Sequence, residues 1–248
     1  MRYEHFSDAQ IKSWVAQIDT QGYAVLPDWS SGAELAQLGT LVDNAVAAAG
    51  NRYVALTGSQ AVAGSALQEW GTCGAFLDLC RRVVALGTGG VPTAPATHQV
   101  LRCLVGEEGR RTSMIFHYDS FVLTAIVPVC MPDKSDPGDL LLLPNHRPIR
   151  DSYVRNLLDK LVVDNRWAQR YFIKRHARRP QSFTRIRMLP GHMYLFWGYR
   201  SLHTNLPADP AAIRATAVFH YQNVHGGSSL AGRLRGLLAK RKLQADPA

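Results

Sequence analysis

A change of hydrophobic period near Thr97 restricts the fold more than any other feature of the chain. Upstream, apolar residues recur at helical spacing; downstream, they gather in short β-prone runs broken by Gly, Pro and Asp. The runs are His98 to Val105, Ser113 to Asp119, Val122 to Val129 and Asp139 to Leu143, then Met193 to Trp197 and Ala215 to Tyr221. Residues 152–175 return to helical spacing through Leu157, Leu158, Leu161 and Val162, which predicts an insertion between strands and not a second domain. The expected layout is one domain over residues 1–248: a helical support region over 1–96, a strand-rich core over 97–222 with a helical insertion at about 150–178, and a basic carboxy-terminal helix or tail over 223–248.

Within the support region, Ser7 is a cap for a helix carrying Ile11, Trp14, Val15 and Ile18, and Gly22 opens a short strand through Leu26. A second helix follows the stripe Leu35, Leu38, Leu41, Val42, Ala45, Val46 and Ala49 to Gly50, the residue type favoured just past a helix end. A third is expected over Leu67 to Leu86, weakened by Gly71 and Gly74.

With 46% hydrophobic and 19% charged residues the chain has the material for an ordinary core, which argues against disorder. Cys73, Cys80, Cys103 and Cys130 form no Cys-x-x-Cys pair, so buried thiols are expected in place of a disulfide framework or structural zinc. Met1 to Phe6 is polar with no apolar run behind it, and no segment approaches the ~20 apolar residues of a membrane span, so the expected location is cytoplasmic. A formal charge of +9 suits anionic ligands, nucleic acid or an anionic membrane surface, without choosing among them. At the carboxy terminus Leu230, Leu234, Leu237 and Leu238 share a helical face beside Arg233, Arg235, Lys240, Arg241 and Lys242. That segment reads either as a solvated helix docked by its leucines or as a peripheral membrane contact.

The chemistry-bearing pattern is Ile115-Phe116-His117-Tyr118-Asp119. A two-residue period sends His117 and Asp119 to one face and Tyr118 to the other. A second candidate imidazole, His203, follows the aromatic strand in the polar turn Ser201 to Asn205. Two His and one carboxylate on one side of a metal leave open positions, the facial arrangement of non-heme iron(II) oxygenases. Eleven residues on, Arg214, Thr216 and Val218 share a strand face; a buried guanidinium is costly unless it meets an anion, either a dicarboxylate co-substrate or an internal Asp or Glu.

These blocks resemble the phytanoyl-CoA-dioxygenase-like branch of the iron(II)/2-oxoglutarate-dependent oxygenases. The resemblance runs through Gly22 to Pro27, His117-Tyr118-Asp119, Gly138 to Arg147, Leu189 to Trp197, His203 and Arg214-Ala215-Thr216, over most of residues 10–222. It implies a mainly β fold with flanking α-helices, a double-stranded β-helix (jelly roll, cupin-like). It also implies that His117, Asp119 and His203 bind Fe(II), that Arg214 and Thr216 grip the far carboxylate of 2-oxoglutarate, and that O2 is the oxidant. Relatives that transfer chloride lack the carboxylate that Asp119 supplies, so hydroxylation, desaturation or ring closure is expected instead of halogenation. His192 departs from the family, which commonly has Asp there; it reads as a strand-entry residue.

Arg102 is in phase with Val100 and Leu104 and either faces the barrel interior, where it would touch co-substrate or substrate, or leaves to solvent at a strand end. His220 reads as a hydrogen-bonded barrel histidine, and Tyr118, Trp197 and Trp70 as core. The cationic run Arg175, His176, Arg178, Arg179, Arg185 and Arg187 is a solvated face or an anion-binding rim. The expected substrate is an anionic metabolite, with an acidic sugar of a membrane glycolipid as the alternative. Nucleic-acid demethylation is disfavoured because no further arginine follows Arg214 closely, and the full set of candidate ligands argues against a non-catalytic binding module.

Overall fold

The computed structural model describes residues 6–133, 136–149 and 153–224. Helix α1 (Asp8–Gln21) begins with a reciprocal cap between Ser7 and Gln10 and stops at Gly22 in the left-handed region. Strand β1 (Ala24–Leu26) and helix α2 (Gly32–Ala48) follow, the latter capped by Ser31 and Glu34. Strand β2 (Val54–Thr57) lies where no strand was expected. The expected third helix is two, α3 (Ala66–Thr72) and α4 (Gly74–Thr88), because Cys73 is extended at φ −63°, ψ 124°.

The remaining elements are β3 (His98–Leu104), α5 (Gly106–Arg111), β4 (Phe121–Cys130), β5 (Leu140–Leu143), α6 (Tyr153–Asp164), α7 (Arg166–Arg178), β6 (Thr184–Ile186), β7 (Met193–Phe196), β8 (Leu202–Asn205) and β9 (Arg214–Asn223). They form a six-stranded antiparallel sheet, β1-β7-β4-β9-β3-β2, and a three-stranded sheet, β6-β5-β8. This is the mainly β jelly roll with flanking helices that the resemblance implied.

Both faces of the large sheet are occupied. Leu101, Cys103, Leu123, Ala125, Val127, Ala215, Ala217 and Phe219 pack with buried residues of α1 to α4 in one core. Alternation then turns Val100, Arg102, Thr124, Ile126, Arg214, Thr216 and Val218 to the opposite face, where Leu140 of β5 and residues 203–205 of β8 meet them across a cavity. The outer face of the small sheet, Leu141, Leu143 and Leu202, is covered by Val163 and Phe172 of the helical pair α6–α7.

Two sequence expectations need correction. Residues 113–119 are not a strand: Met114 has φ 57°, its N–H donates to Asn205, and the only ladder contact is an isolated bridge between His117 and His203. A side chain takes the place of a neighbouring strand there, since Gln169 of α7 accepts from the Phe116 N–H (2.9 Å) and donates to its carbonyl (2.7 Å). His203, expected in a polar turn, lies in β8 with all four residues buried, because Leu142 and Leu143 pair with His203 and Leu202. The turn lies just before it, where Arg200 and Ser201 both donate to the Trp197 carbonyl. The leucine stripe 230–238 falls outside the described residues.

Candidate active site

His117 and His203 come together because each donates its backbone N–H to the other's carbonyl, at 3.0 and 3.1 Å, which sets the two rings 4.3 Å apart. Asp119 is brought in by its own N–H, which donates to Gly198 (3.0 Å). Its Oδ1 lies 3.8 Å from His117 Nε2 and its Oδ2 3.5 Å from His203 Nε2. One ligand atom from each of the three residues falls within 4.8 Å of the others, and among the described residues no other such group of His, Cys, Asp or Glu occurs.

The rings are set in the tautomer that a metal needs. His117 Nδ1 is 3.0 Å from the Ile115 carbonyl and His203 Nδ1 is 2.9 Å from the Ser201 carbonyl. A carbonyl only accepts, so Nδ1 carries a hydrogen in each ring and Nε2 is the nitrogen that a metal can take, once any proton on it is released. Thr124 donates to Asp119 Oδ2 (2.5 Å), and His220 Nδ1 contacts the same hydroxyl at 3.1 Å. His220 is thus a hydrogen-bonded neighbour and not a member of the ligand group. Two imidazoles presenting Nε2 and a carboxylate, with their outer atoms already engaged, fit a divalent metal held on one side.

The electrostatics follow from that packing. Burial opposes ionisation of Asp119, but the attraction of His203, His220 and His117 outweighs it and holds the carboxyl well below its usual range. Burial likewise disfavours charge on His203, and again Asp119 wins, raising the imidazole above its ordinary value. His117 moves the other way, lowered by burial and by the neighbouring His203.

A cavity of about 140 Å³ runs from this cluster to Arg214, walled by Val100, Ile126, Leu140 and Val218. That is a small space beside the ~300–1,000 Å³ of sites for drug-sized ligands. Arg214 is buried at 3% exposure and its Nε donates to the Gly138 carbonyl (2.8 Å). Gly138 has φ 69°, and a Cβ there would meet Arg214 Cδ at 2.5 Å, so this glycine serves both the backbone turn and the guanidinium's approach. Among the described residues no carboxylate pairs with Arg214; the acid that influences it, Asp139, is bound by Arg185 at 2.6 Å. Burial, then repulsion from Arg102, push Arg214 down to about 9 against the pull of Asp139, so it remains cationic at neutral pH.

Thr216 lies on the cavity wall, and Arg102, paired with it in register, faces the cavity and not the solvent at a strand end. His192 is elsewhere, accepting from the Asp28 N–H at 3.3 Å. Trp70, Trp197 and Tyr118 are buried.

Several participants carry no local signal. Gly198 is one, since a Cβ there would lie 2.2 Å from Thr124 Oγ1 and 2.3 Å from Asp119 Oδ2. Arg147 is another: it is buried between the Tyr118 and Tyr199 rings, 3.9 and 4.5 Å from their centres, and binds Asn156 and Asp159 of α6. Alternation along β4 could have found Thr124; nothing local marks Gln169 or Arg147.

No family model and no curated protein matches the sequence. Solved structures do match. The chain is similar to a prolyl-4-hydroxylase of Pseudomonas putida, at 11% identity over 86% of this chain and 98% of that one, with TM-score 0.53. It is similar to the epimerase SnoN in complex with Fe3+, alpha-ketoglutarate and nogalamycin RO, at 15% identity over 88% and 85% of the two chains, with TM-score 0.57. It is also similar to EctD of S. alaskensis with 2-oxoglutarate and 5-hydroxyectoine, at 19% identity over 88% and 76%, with TM-score 0.52. At these identities the likeness is one of fold, and the chain has the jelly-roll fold of these structures, with its own His-Asp-His cluster and buried arginine between the two sheets.

Proposed function

We propose that the chain is an iron(II)- and 2-oxoglutarate-dependent oxygenase that hydroxylates, desaturates or cyclises an anionic small molecule. The observation that carries this reading is one small cavity with a metal-binding His-Asp-His set at one end and, at the other, a buried arginine with no acidic partner among the described residues. A dicarboxylate with a keto group beside one carboxylate matches both ends, with a chelating head for the metal and a remote carboxylate for the guanidinium.

With iron and 2-oxoglutarate bound, the site would couple dioxygen reduction and oxidative decarboxylation to oxidation of a substrate C–H bond. His117 and His203 would present Nε2 and Asp119 a carboxylate oxygen, with Thr124 fixing the other oxygen. Arg214 would hold the far carboxylate, aided by the Thr216 hydroxyl. The carboxylate at Asp119 occupies the ligand position that halide transfer would need.

The substrate side is the side of His117, whose side chain is 40% accessible. Cationic groups stand nearby: Arg102 on the cavity wall, and Lys160 of α6, whose ammonium donates to Ser120 at 2.6 Å beside Asp119. Phe121 and His220 stack at 5.2 Å with His98 against both, giving an aromatic wall. Positive charge beside the opening favours a carboxylate- or phosphate-bearing substrate.

Thermal unfolding under anaerobic conditions tests the reading, because ligands of the native state raise its midpoint by mass action. Iron(II) and 2-oxoglutarate together are expected to raise it beyond either alone, and Arg214→Ala to remove the increment from 2-oxoglutarate while keeping that from iron. In air, anionic metabolites are expected to stimulate succinate formation more than neutral ones. No increment from 2-oxoglutarate would overturn the co-substrate assignment, and best stimulation by a neutral compound would overturn the substrate class.

A further inference from the structure

The surface formed by α6 and α7 is built the wrong way round for a helical pair facing water. On α6, Val154, Leu158, Leu161 and Val162 fall on one stripe, and each is more than half exposed. The opposite side of the helix is anchored through polar groups beside the buried Val163: Asn156 and Asp159 bind Arg147, and Lys160 binds Ser120. Those bonds fix the rotation of the helix, so the apolar stripe cannot turn inward without breaking them.

The stripe continues on α7 with Trp167 and Tyr171, both more than half exposed, and then changes character at Lys174 and Arg178 on the same face. No acidic residue occurs in α7. Lys174, Arg175, Arg178 and Arg179, with Tyr171 and Ser182, line a hollow of about 540 Å³, and among the described residues none of these four cations has an ion-pair partner. A contiguous apolar surface bordered by unpaired cations marks a docking face.

Charge selects the occupant. A second copy burying this face across a two-fold axis would bring both sets of α7 cations into one interface, with no acidic residue of α7 to meet them. The leucine stripe at 230–238 would bring Arg233, Arg235 and three further cations against the same helix. An anionic lipid surface meets both requirements, with headgroups for the cations and an interfacial layer for Trp167, Tyr171 and the α6 stripe. We infer that α6 and α7 form a docking face for an anionic lipid bilayer. Because Gln169 of α7 grips Phe116 and Lys160 of α6 binds Ser120, the lipid-facing helices are the ones that clasp the segment carrying His117 and Asp119. None of the described helices is long and apolar enough to cross a membrane, so the contact is peripheral.

The test uses the full chain and sedimentation with vesicles of phosphatidylcholine alone or with about one-third phosphatidylglycerol. Binding is expected only to the anionic vesicles and is expected to weaken with salt. Each basic side chain at such a surface contributes about fivefold, so Lys174→Ser, Arg178→Ser and Arg179→Ser together should lower partitioning on the order of 100-fold. Leu158→Ser with Leu161→Ser should also lower it, and both variants should keep the parent circular dichroism and iron content. Brominated acyl chains should quench tryptophan emission in the parent and lose that effect in Trp167→Phe.

Absence of binding at low salt would overturn the inference. So would binding that survives both sets of α6–α7 substitutions but is lost in Leu234→Ser with Leu237→Ser, which would assign the contact to the carboxy-terminal segment. Self-association abolished by the α6 substitutions, without vesicle binding, would make the face a contact between copies. None of these results bears on whether iron and 2-oxoglutarate bind the cavity.

Discussion

Replacing Gly198 with Ala is the most demanding test of the proposed metal centre, because it adds one methyl group without replacing a ligand. The new Cβ would lie 2.3 Å from Asp119 Oδ2 and 2.2 Å from Thr124 Oγ1, whereas such contacts stay above 3.0 Å. The carboxylate must therefore retreat by about 0.7 Å (3.0 − 2.3) or the strand end must shift. Overpacking of this kind costs about 1–3 kcal/mol, which a domain of this size can absorb and still fold. A metal site is less tolerant, since ligand distances hold to roughly 0.2 Å and losing a supporting contact commonly lowers affinity 10- to 100-fold. The expected variant is folded, somewhat less stable, and at least about tenfold weaker for iron(II) in anaerobic competition against a chromophoric chelator. Adding Thr124→Ala should recover part of that loss by giving the carboxylate somewhere to turn, although it also removes a hydrogen bond. Parent-like iron affinity in Gly198→Ala would refute the reasoning, for it would mean that Asp119 is not the group for which the glycine makes room.

Arg214→Ala should raise the 2-oxoglutarate requirement of succinate formation by on the order of 10- to 100-fold, with iron affinity little changed, since hydrogen bonds to charged groups are worth about 1.5–3 kcal/mol. An unchanged requirement would leave the arginine with a structural role. Iron affinity should climb with pH through the near-neutral range, because His203 is held protonated above its ordinary value and the metal must displace that proton. The sign for the metal-free protein is opposite: a raised folded-state value gives stability that is present below the unfolded value of about 6.5 and lost as pH rises through the folded one. Proton release on iron addition in weak buffer checks this, and no release would contradict it. Gln169→Leu should destabilise the fold by about 1–3 kcal/mol in denaturant titration and weaken iron binding, since it leaves the buried Phe116 N–H unpaired; Gln169→Glu should not rescue either, because its carboxylate keeps the acceptor for that N–H but faces the Phe116 and Val163 carbonyls to which the amide donates.

The contrast between His117 and the segment that carries it shows what alternation can and cannot reveal. Residues 113–119 have the alternation of a strand, and the ladder is absent apart from one bridge. The reading that His117 and Asp119 share a side did not depend on the ladder. It depends on extended φ and ψ at residues 117–119, a local property, whereas a strand also requires a neighbour that the local sequence does not name. Here the neighbour is an amide side chain 53 residues away. In the same way β8 was hidden because Leu202 to Asn205 offers only four residues, of which three are polar, and its burial comes from pairing with β5. Helix α1 is legible for the converse reason: a cap such as Ser7 with Gln10 acts over three residues.

Long-range contact also separates the parts of the site that a sequence exhibits from those it conceals. Arg214 was conspicuous because a cation in an apolar strand demands an explanation, and the structure sharpens the demand by giving Asp139 to Arg185. Arg147 belongs to a block noticed for its resemblance, yet nothing local says that it lies between two tyrosine rings and holds α6 in place. That anchor has a consequence beyond packing. By binding Asn156 and Asp159 it commits that side of α6 to the protein and leaves Leu158 and Leu161 outside, so the helical insertion cannot be read from its hydrophobic period alone. A stripe at helical spacing tells which residues share a face; which way that face looks is decided by the polar groups opposite it, and in this chain they look inward.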